Sequence, residues 1–137
     1  MSERETSILQ RYWQRVSGTL ILEFPLVKRS STSNPRRVDG FILPDAERRM
    51  VRWSKFKVEK RKTMEGVVKG ADVVAAQVKP HRLDLPLLGQ TFFAVRLLEL
   101  LGPASVRGVA LCTQDDEALR EVFEAYPNMK VEVDAPS

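Results

Sequence analysis

The feature that most constrains the fold of this chain is a nearly continuous apolar run, ADVVAAQV, at residues 71–78. Such runs are typical of a strand covered on both faces, as in the centre of an α/β sheet. Pro80 ends the run, and a helix is predicted at residues 85–101, with Gly102-Pro103 just past its end. A strand is predicted at residues 106–113. Because a strand–helix–strand unit places its two strands side by side and parallel, this half of the chain predicts an α/β sheet.

Hydrophobic periodicity predicts two further helices and four further strands: helices at residues 7–16 and 115–126, and strands at residues 19–27, 37–43, 48–53 and 129–133. The strand at 48–53 is predicted as a hairpin partner of the strand before it. Pro25 cannot donate to a ladder, so it indicates an edge position or a bulge. Residues 54–69 are highly charged, and helix, strand and loop stay open there. A length of 137 residues favours one domain over the whole chain.

Three polar residues interrupt the predicted strands. Asp39 lies within RVDGFIL, and Gln77 and Lys79 lie at the end of the apolar run. Residues two apart in a strand point to the same face, so Gln77 and Lys79 project together. Polar groups in such a place must be paired, solvated in a cleft or bound to an ion.

The order helix, strand, strand with Asp, strand with Gln-x-Lys, helix, strand resembles the PD-(D/E)xK nuclease superfamily over roughly residues 5–113. The resemblance implies a restriction-endonuclease-like core, a mixed central sheet flanked by helices, to which a C-terminal helix and strand are added. It also implies that Asp39 and Gln77 bind Mg²⁺ or Mn²⁺ and that Lys79 assists the attacking water. The chain departs from the family in Gln77, where an acid is usual, and in Val38, where the family has Pro.

The metal site implied by the resemblance has a chemical weakness. Mg²⁺ prefers oxygen ligands, and a Gln oxygen can ligate it but carries no full charge. Another carboxylate is therefore expected to help. Glu23, which interrupts an apolar strand, is the stronger candidate as a catalytic and metal-binding residue, since a lone carboxylate there needs a partner. Its alternative is an outward-facing edge residue, and Glu5, at the start of the first helix, is the competing carboxylate.

Charge is unevenly distributed. Residues 28–69 contain thirteen Lys/Arg against five Asp/Glu, whereas residues 70–137 contain six against ten. A basic segment of this kind favours contact with phosphates, although a solvated hairpin explains it as well. The candidate nucleic-acid-binding residues are Arg36, Arg37, Arg48, Arg49, Arg52, Lys55 and Lys57. Trp53 and Phe56 lie among these residues, where they either stack on bases or pack beneath the hairpin.

Composition excludes several other sites. Cys112 is the single cysteine and His81 the single histidine, so an internal disulfide and a zinc site with several His or Cys ligands are both ruled out. The first residues lack the apolar core of a signal peptide, and the apolar stretch at 85–101 is broken by Gln90, Arg96 and Glu99. We therefore expect a cytoplasmic protein without a membrane segment. Gln90 either reaches the candidate site or is a polar position on a buried helix.

These observations predict a metal-dependent nuclease that hydrolyses phosphodiester bonds in DNA or, as a weaker alternative, RNA. The main alternative is a catalytically inactive module on the same fold that binds nucleic acid or protein, with Gln77 marking lost chemistry. A third interpretation is a subunit of a larger assembly, such as a homodimer. The helix at 85–101 would then be partly interface, since its apolar residues cover more than one face.

Overall fold

The computed structural model describes residues 1–27 and 30–134. Within them the elements are, in chain order, α1 (Glu3–Val16), β1 (Thr19–Val27), β2 (Arg36–Leu43), β3 (Arg49–Arg52), α2 (Trp53–Lys60), α3 (Met64–Val68), β4 (Asp72–Val78), α4 (Leu85–Glu99), β5 (Ser105–Cys112), α5 (Glu117–Glu124) and β6 (Met129–Val133). The basic segment identified at residues 28–69 includes residues 28 and 29, which lie outside the described residues. No helix in the described part is long and apolar enough to cross a membrane.

The strands form one mixed sheet in the order β3-β1-β2-β4-β5-β6. β1 pairs antiparallel with β2, and β2 antiparallel with β4, whereas the β1–β3, β4–β5 and β5–β6 pairs are parallel. The prediction that residues 71–78 and 106–113 form parallel neighbours is therefore confirmed. The half of the sheet formed by β4, β5 and β6 is built from strand–helix–strand units, as the alternation of predicted strands and helices indicated.

Helices cover both faces of the sheet. On one face α1 buries Ile8, Leu9 and Tyr12 against a cluster that includes Ile42 and Val74. On the other face α2, α3, α4 and α5 contribute to a larger cluster. The apolar run of β4 alternates between the two clusters, which explains why it carries apolar residues on both sides.

The helix α1 begins earlier than its apolar periodicity predicts. Ser2 and Glu5 form a capping box, in which the Glu5 amide donates to Ser2 Oγ and the Ser2 amide donates to Glu5 Oε1, both at 3.1 Å. The Ser-x-x-Glu spacing that produces this cap is visible in the sequence. The capping box adds a first turn, residues 3–6, to the helix. That turn contains no apolar residue, so apolar periodicity does not detect it.

The prediction that residues 48–53 form a hairpin partner is wrong. The strand β3 pairs in parallel with β1 at the edge of the sheet, on the opposite side of β1 from β2. Local alternation predicts a strand but not its neighbour, so the mistake concerns pairing and not conformation. Residues 54–69, for which the sequence did not decide between helix, strand and loop, contain most of α2 and all of α3. Thr63 caps α3, because its side chain accepts from the Gly66 amide at 3.1 Å.

Pro25 lies where β1 has lost its neighbour on one side. The pairing with β3 covers only Thr19 to Leu22, and the register with β2 shifts between Pro25 and Val27. The second half of β1 is therefore both a local edge and irregular. Both features expected from Pro25 are present, although β1 is an inner strand over its first half.

Candidate active site

The candidate site forms where β2 and β4 separate. Their ladder ends at the pair Gly40–Ala76. One residue further, the Asp39 amide donates to Gln77 Oε1 at 3.2 Å, and the Val78 amide donates to Asp39 Oδ2 at 3.0 Å. Two side chains thus replace the backbone ladder and bridge the diverging strands. We call this arrangement the fork. It brings together the two polar residues that interrupt their strands.

The neighbouring strand is also distorted at this level. Glu23 of β1 has a φ of 56°, which is uncommon for a residue other than Gly, Asn or Asp. It stands opposite Asp39, between the pairs Leu22–Gly40 and Phe24–Val38. Phe24 and Val38 nevertheless lie in the same cluster as Ile21 and Phe41. The regular alternation of faces is therefore interrupted on both strands beside the fork.

A pocket of about 920 Å³ opens at the fork. Asp39, Gln77 and Lys79 line it, and Gln77 is buried with only 6% of its surface exposed. The rest of its lining comes from a stripe of α4 that includes Gln90 and Phe93, and from the end of β1, the start of β2 and residues 32–34. The structure thus places Gln90 in the pocket wall. A cleft of this size is within the range of small-ligand sites.

Burial raises the pKa of the Asp39 carboxyl above its ordinary value, and the nearby Glu5 carboxylate adds to the rise. The hydrogen bond from the Val78 amide and the positive charge of Lys79 oppose it. A cation that enters the pocket would stabilise the ionised form of this buried carboxyl, because it compensates the negative charge that burial disfavours.

The two competing carboxylates have different surroundings. Partial burial opposes ionisation of Glu5, but the hydrogen bonds from Ser2 and the charge of Lys79 outweigh it and lower the pKa of Glu5. Glu23 Oε2 lies 3.4 Å from the Arg52 guanidinium and 3.8 Å from that of Arg37. Glu5 is thus the carboxylate that acts electrostatically on Asp39, whereas Glu23 is engaged with arginines. The catalytic and metal-binding role of Glu23 stays a prediction.

The predicted basic residues divide into two groups. Arg36 and Arg37 line the pocket. The others lie on and around β3 and α2, outside the pocket lining, and four of them contact other side chains. Arg49 and Lys55 pair with Glu59, at 2.9 and 3.8 Å. Arg52 pairs with Glu23, Arg48 lies over the Trp13 ring at 5.2 Å, and Lys57 is exposed.

Two aromatic residues prove to be packing residues. Phe56 is buried, and Trp53 contacts Phe24 edge-on with ring centroids 4.9 Å apart. The interpretation in which they stack on bases is therefore wrong for Phe56, whose ring is buried, whereas for the half-buried Trp53 it stays a prediction. Phe93 is the aromatic side chain that sequence reasoning missed. Its spacing from Pro86, Gly89 and Gln90 places it on the pocket-facing stripe of α4, a signal available once the helix is known.

The donor set at the fork fits a weak rather than a strong Mg²⁺ site. Among the described residues no group of three or more His, Cys, Asp or Glu side chains is arranged to hold a metal ion. Asp39 and Gln77 nevertheless offer oxygen ligands at one place, with Glu5 near enough to act on Asp39. Mg²⁺ is commonly held by one or two carboxylates, with waters and substrate phosphates completing its coordination.

Comparison with known proteins supports the fold. No family model and no curated protein matches the sequence. The structure is similar to the crystal structure of a repair endonuclease from Pyrococcus abyssi, with a TM-score of 0.57 and 18% sequence identity. The match covers 100% of this chain and 48% of that chain, so this chain spans about half the length of the endonuclease. The predicted restriction-endonuclease-like fold, a mixed sheet flanked by helices, is thereby confirmed.

Proposed function

We propose that this chain is a nuclease that hydrolyses phosphodiester bonds in DNA with the help of Mg²⁺ or Mn²⁺. The observation that supports it best is the fork, where Asp39 and Gln77 meet in a pocket that Lys79 also lines. The basic residues Arg36 and Arg37 line the same pocket and suit a phosphate backbone. The nuclease-like fold agrees with this chemistry.

The residues that would hold the ion are Asp39 and Gln77, with Glu5 or Glu23 as the added carboxylate. A bound divalent ion polarises the phosphate and lowers the pKa of a bound water. The Lys79 ammonium offsets negative charge on the phosphate as it develops. Arg36 and Arg37 hold the strand in position, so binding should weaken steeply as salt rises.

Specific observations favour a second candidate, a catalytically inactive module that binds nucleic acid or protein. Gln77 is neutral, and its Oε1 already accepts from the Asp39 amide. Asp39 Oδ2 accepts from the Val78 amide. The two side chains thus have a structural role at the fork that requires no ion.

Calorimetric titration of Mn²⁺ distinguishes the candidates. The wild type and Asp39→Asn are titrated, and both are then incubated with plasmid and with single-stranded DNA. Asp72→Asn is the matched control, because Asp72 lies at the far end of β4 and bonds to Ser105. Metal binding and cleavage that are lost in Asp39→Asn and kept in Asp72→Asn would support the nuclease. If the wild type neither binds Mn²⁺ nor cleaves DNA, the nuclease is excluded and the catalytically inactive binding module remains as the candidate.

The assembly and location proposed with this function are a homodimer in the cytoplasm. Leu85 and Leu100 at the two ends of α4 are 69% and 81% exposed, which suits a contact between copies. Analytical ultracentrifugation at increasing protein concentration tests the dimer, and a constant monomer mass would exclude it.

A further inference from the structure

A large aromatic side chain stands exposed beside the candidate active site. Phe93 has 66% of its surface exposed and lines the pocket together with Gln90, its neighbour on the same face of α4. The preceding residue, Phe92, packs edge-on against Tyr126 with centroids 5.4 Å apart. Covering an exposed phenyl ring at a pocket wall with a flat apolar surface is favourable, because it removes the ring from water.

The lining that comes from other elements is of a different chemical kind. Arg36 and Arg37 at the start of β2 line the pocket, together with Thr32, Ser33 and Asn34. Lys79, just past β4, adds a further positive charge. The pocket therefore offers an aromatic surface and an amide from α4 and cations from the strands. A nucleotide carries the matching parts, a flat base and a phosphate.

We propose that this pocket binds an unstacked nucleotide of single-stranded DNA, with its base against Phe93 and its phosphate toward Arg36 and Arg37. The Gln90 amide, which can donate and accept, lies on the base side of the pocket. This inference rests on the proposed function only because it takes nucleic acid as the ligand. It adds the class of substrate, which is single-stranded DNA.

A single strand fits these observations better than a duplex. In a duplex each base face is covered by its neighbours, so an aromatic side chain gains a stacking partner only from a base that leaves the stack. A duplex presents its phosphates to the arginines and leaves Phe93 uncovered. Aromatic stacking of this kind tolerates any base, so little sequence preference is expected.

The test is fluorescence polarisation with a labelled DNA oligonucleotide, single-stranded or in a duplex of the same length, with EDTA present to prevent cleavage. Phe93→Ala should weaken single-strand binding at least about five-fold, the loss expected from one base–aromatic stack. Phe93→Trp should restore it. Val122→Ala is the matched control, since Val122 is apolar and 70% exposed, close to the 66% of Phe93, but lies on α5 outside the lining of this pocket.

Equal affinity of the wild type for the two DNA forms, or unchanged single-strand binding by Phe93→Ala, would overturn the inference. Tighter binding of an RNA strand of the same sequence would overturn the choice of DNA. Cleavage is measured separately with Mn²⁺. Phe93-dependent binding without cleavage would support single-strand binding and contradict the proposed nuclease activity. Cleavage of duplex DNA without single-strand binding would support the nuclease activity and contradict single-strand binding.

Discussion

Residue 77 belongs both to the pairing of β2 with β4 and to the pocket beside it. Gln77 is buried at the fork and accepts from the Asp39 amide, so it serves the strand pairing and offers a neutral oxygen to the pocket. The sequence motif predicted that Asp39 and Gln77 meet, and they do. It did not decide between Glu5 and Glu23, because that choice depends on which cations surround each carboxylate in space.

The substitution Gln77→Glu should strengthen metal binding. Glutamate keeps the oxygen that accepts from Asp39 and adds a full charge, which near a divalent ion is worth more than about 1.4 kcal/mol even at high effective dielectric. We therefore expect Mn²⁺ affinity to rise at least about ten-fold by calorimetry, because that free energy corresponds to a factor of ten. Gln90→Glu, at the exposed pocket wall, is the control. Unchanged affinity in Gln77→Glu would show that residue 77 does not ligate the ion.

Asp39→Asn should stabilise the metal-free protein at neutral pH. Because burial raises the pKa of Asp39, the folded state prefers its protonated form. The corresponding stability is present below the unfolded pKa and is lost as pH rises through the higher folded pKa. Asparagine avoids that loss and can still accept from the Val78 amide. Urea unfolding in EDTA should show the variant more stable than wild type at pH 7, with the difference shrinking toward pH 3; a constant difference would contradict this.

At the scale of elements, the unit β4–α4–β5 was predictable because its signals are local. An apolar run, a helix flanked by proline and glycine, and a second strand specify one another. The partner of β3 was not predictable, since a strand of four residues carries no information about its neighbour. The pocket role of Phe93 was hidden for a related reason: a Phe in an apolar helix is expected in the core, and the exposed face of α4 emerges only after docking.

Close packing of α4 on β5 depends on Gly108. A Cβ built there would lie 2.6 Å from Val95 Cγ2 and 2.9 Å from Met129 Sδ. Val95 is β-branched and stiff, so Gly108→Ala should push α4 from the sheet and cost about 1–3 kcal/mol of unfolding free energy. Gly89→Ala is the control in α4, where nothing lies within 4 Å of the added Cβ and helix propensity should improve. Urea unfolding measures both, and equal stability of the two variants would contradict the packing argument.

The whole chain was predicted as one domain, and this stays a prediction. Its two tryptophans provide a direct test. Trp13 packs against the cluster on the α1 face of the sheet, and Trp53 against the cluster on the opposite face. The bidentate contact from Arg11 to Asp134, at 2.9 and 2.7 Å, also joins the first helix to the end of the last strand.

A single domain should unfold in one cooperative step. The variants Trp13→Phe and Trp53→Phe each leave one fluorophore, and urea transitions followed by fluorescence and by far-ultraviolet circular dichroism should share one midpoint, with m of about 1–3 kcal/mol/M. Midpoints that differ between the two fluorophores would show that the two faces unfold separately.

The bonds across the fork also bear on how such a site can change in evolution. With an amide at residue 77, the two strands are joined by neutral and charged groups that satisfy one another, and the fold owes nothing to a bound ion. An acid at that position would place two like charges side by side until a cation arrived. One codon change would thus make the pairing of these two strands, and not only the metal-dependent chemistry proposed for the site, sensitive to the ion supply of the cell.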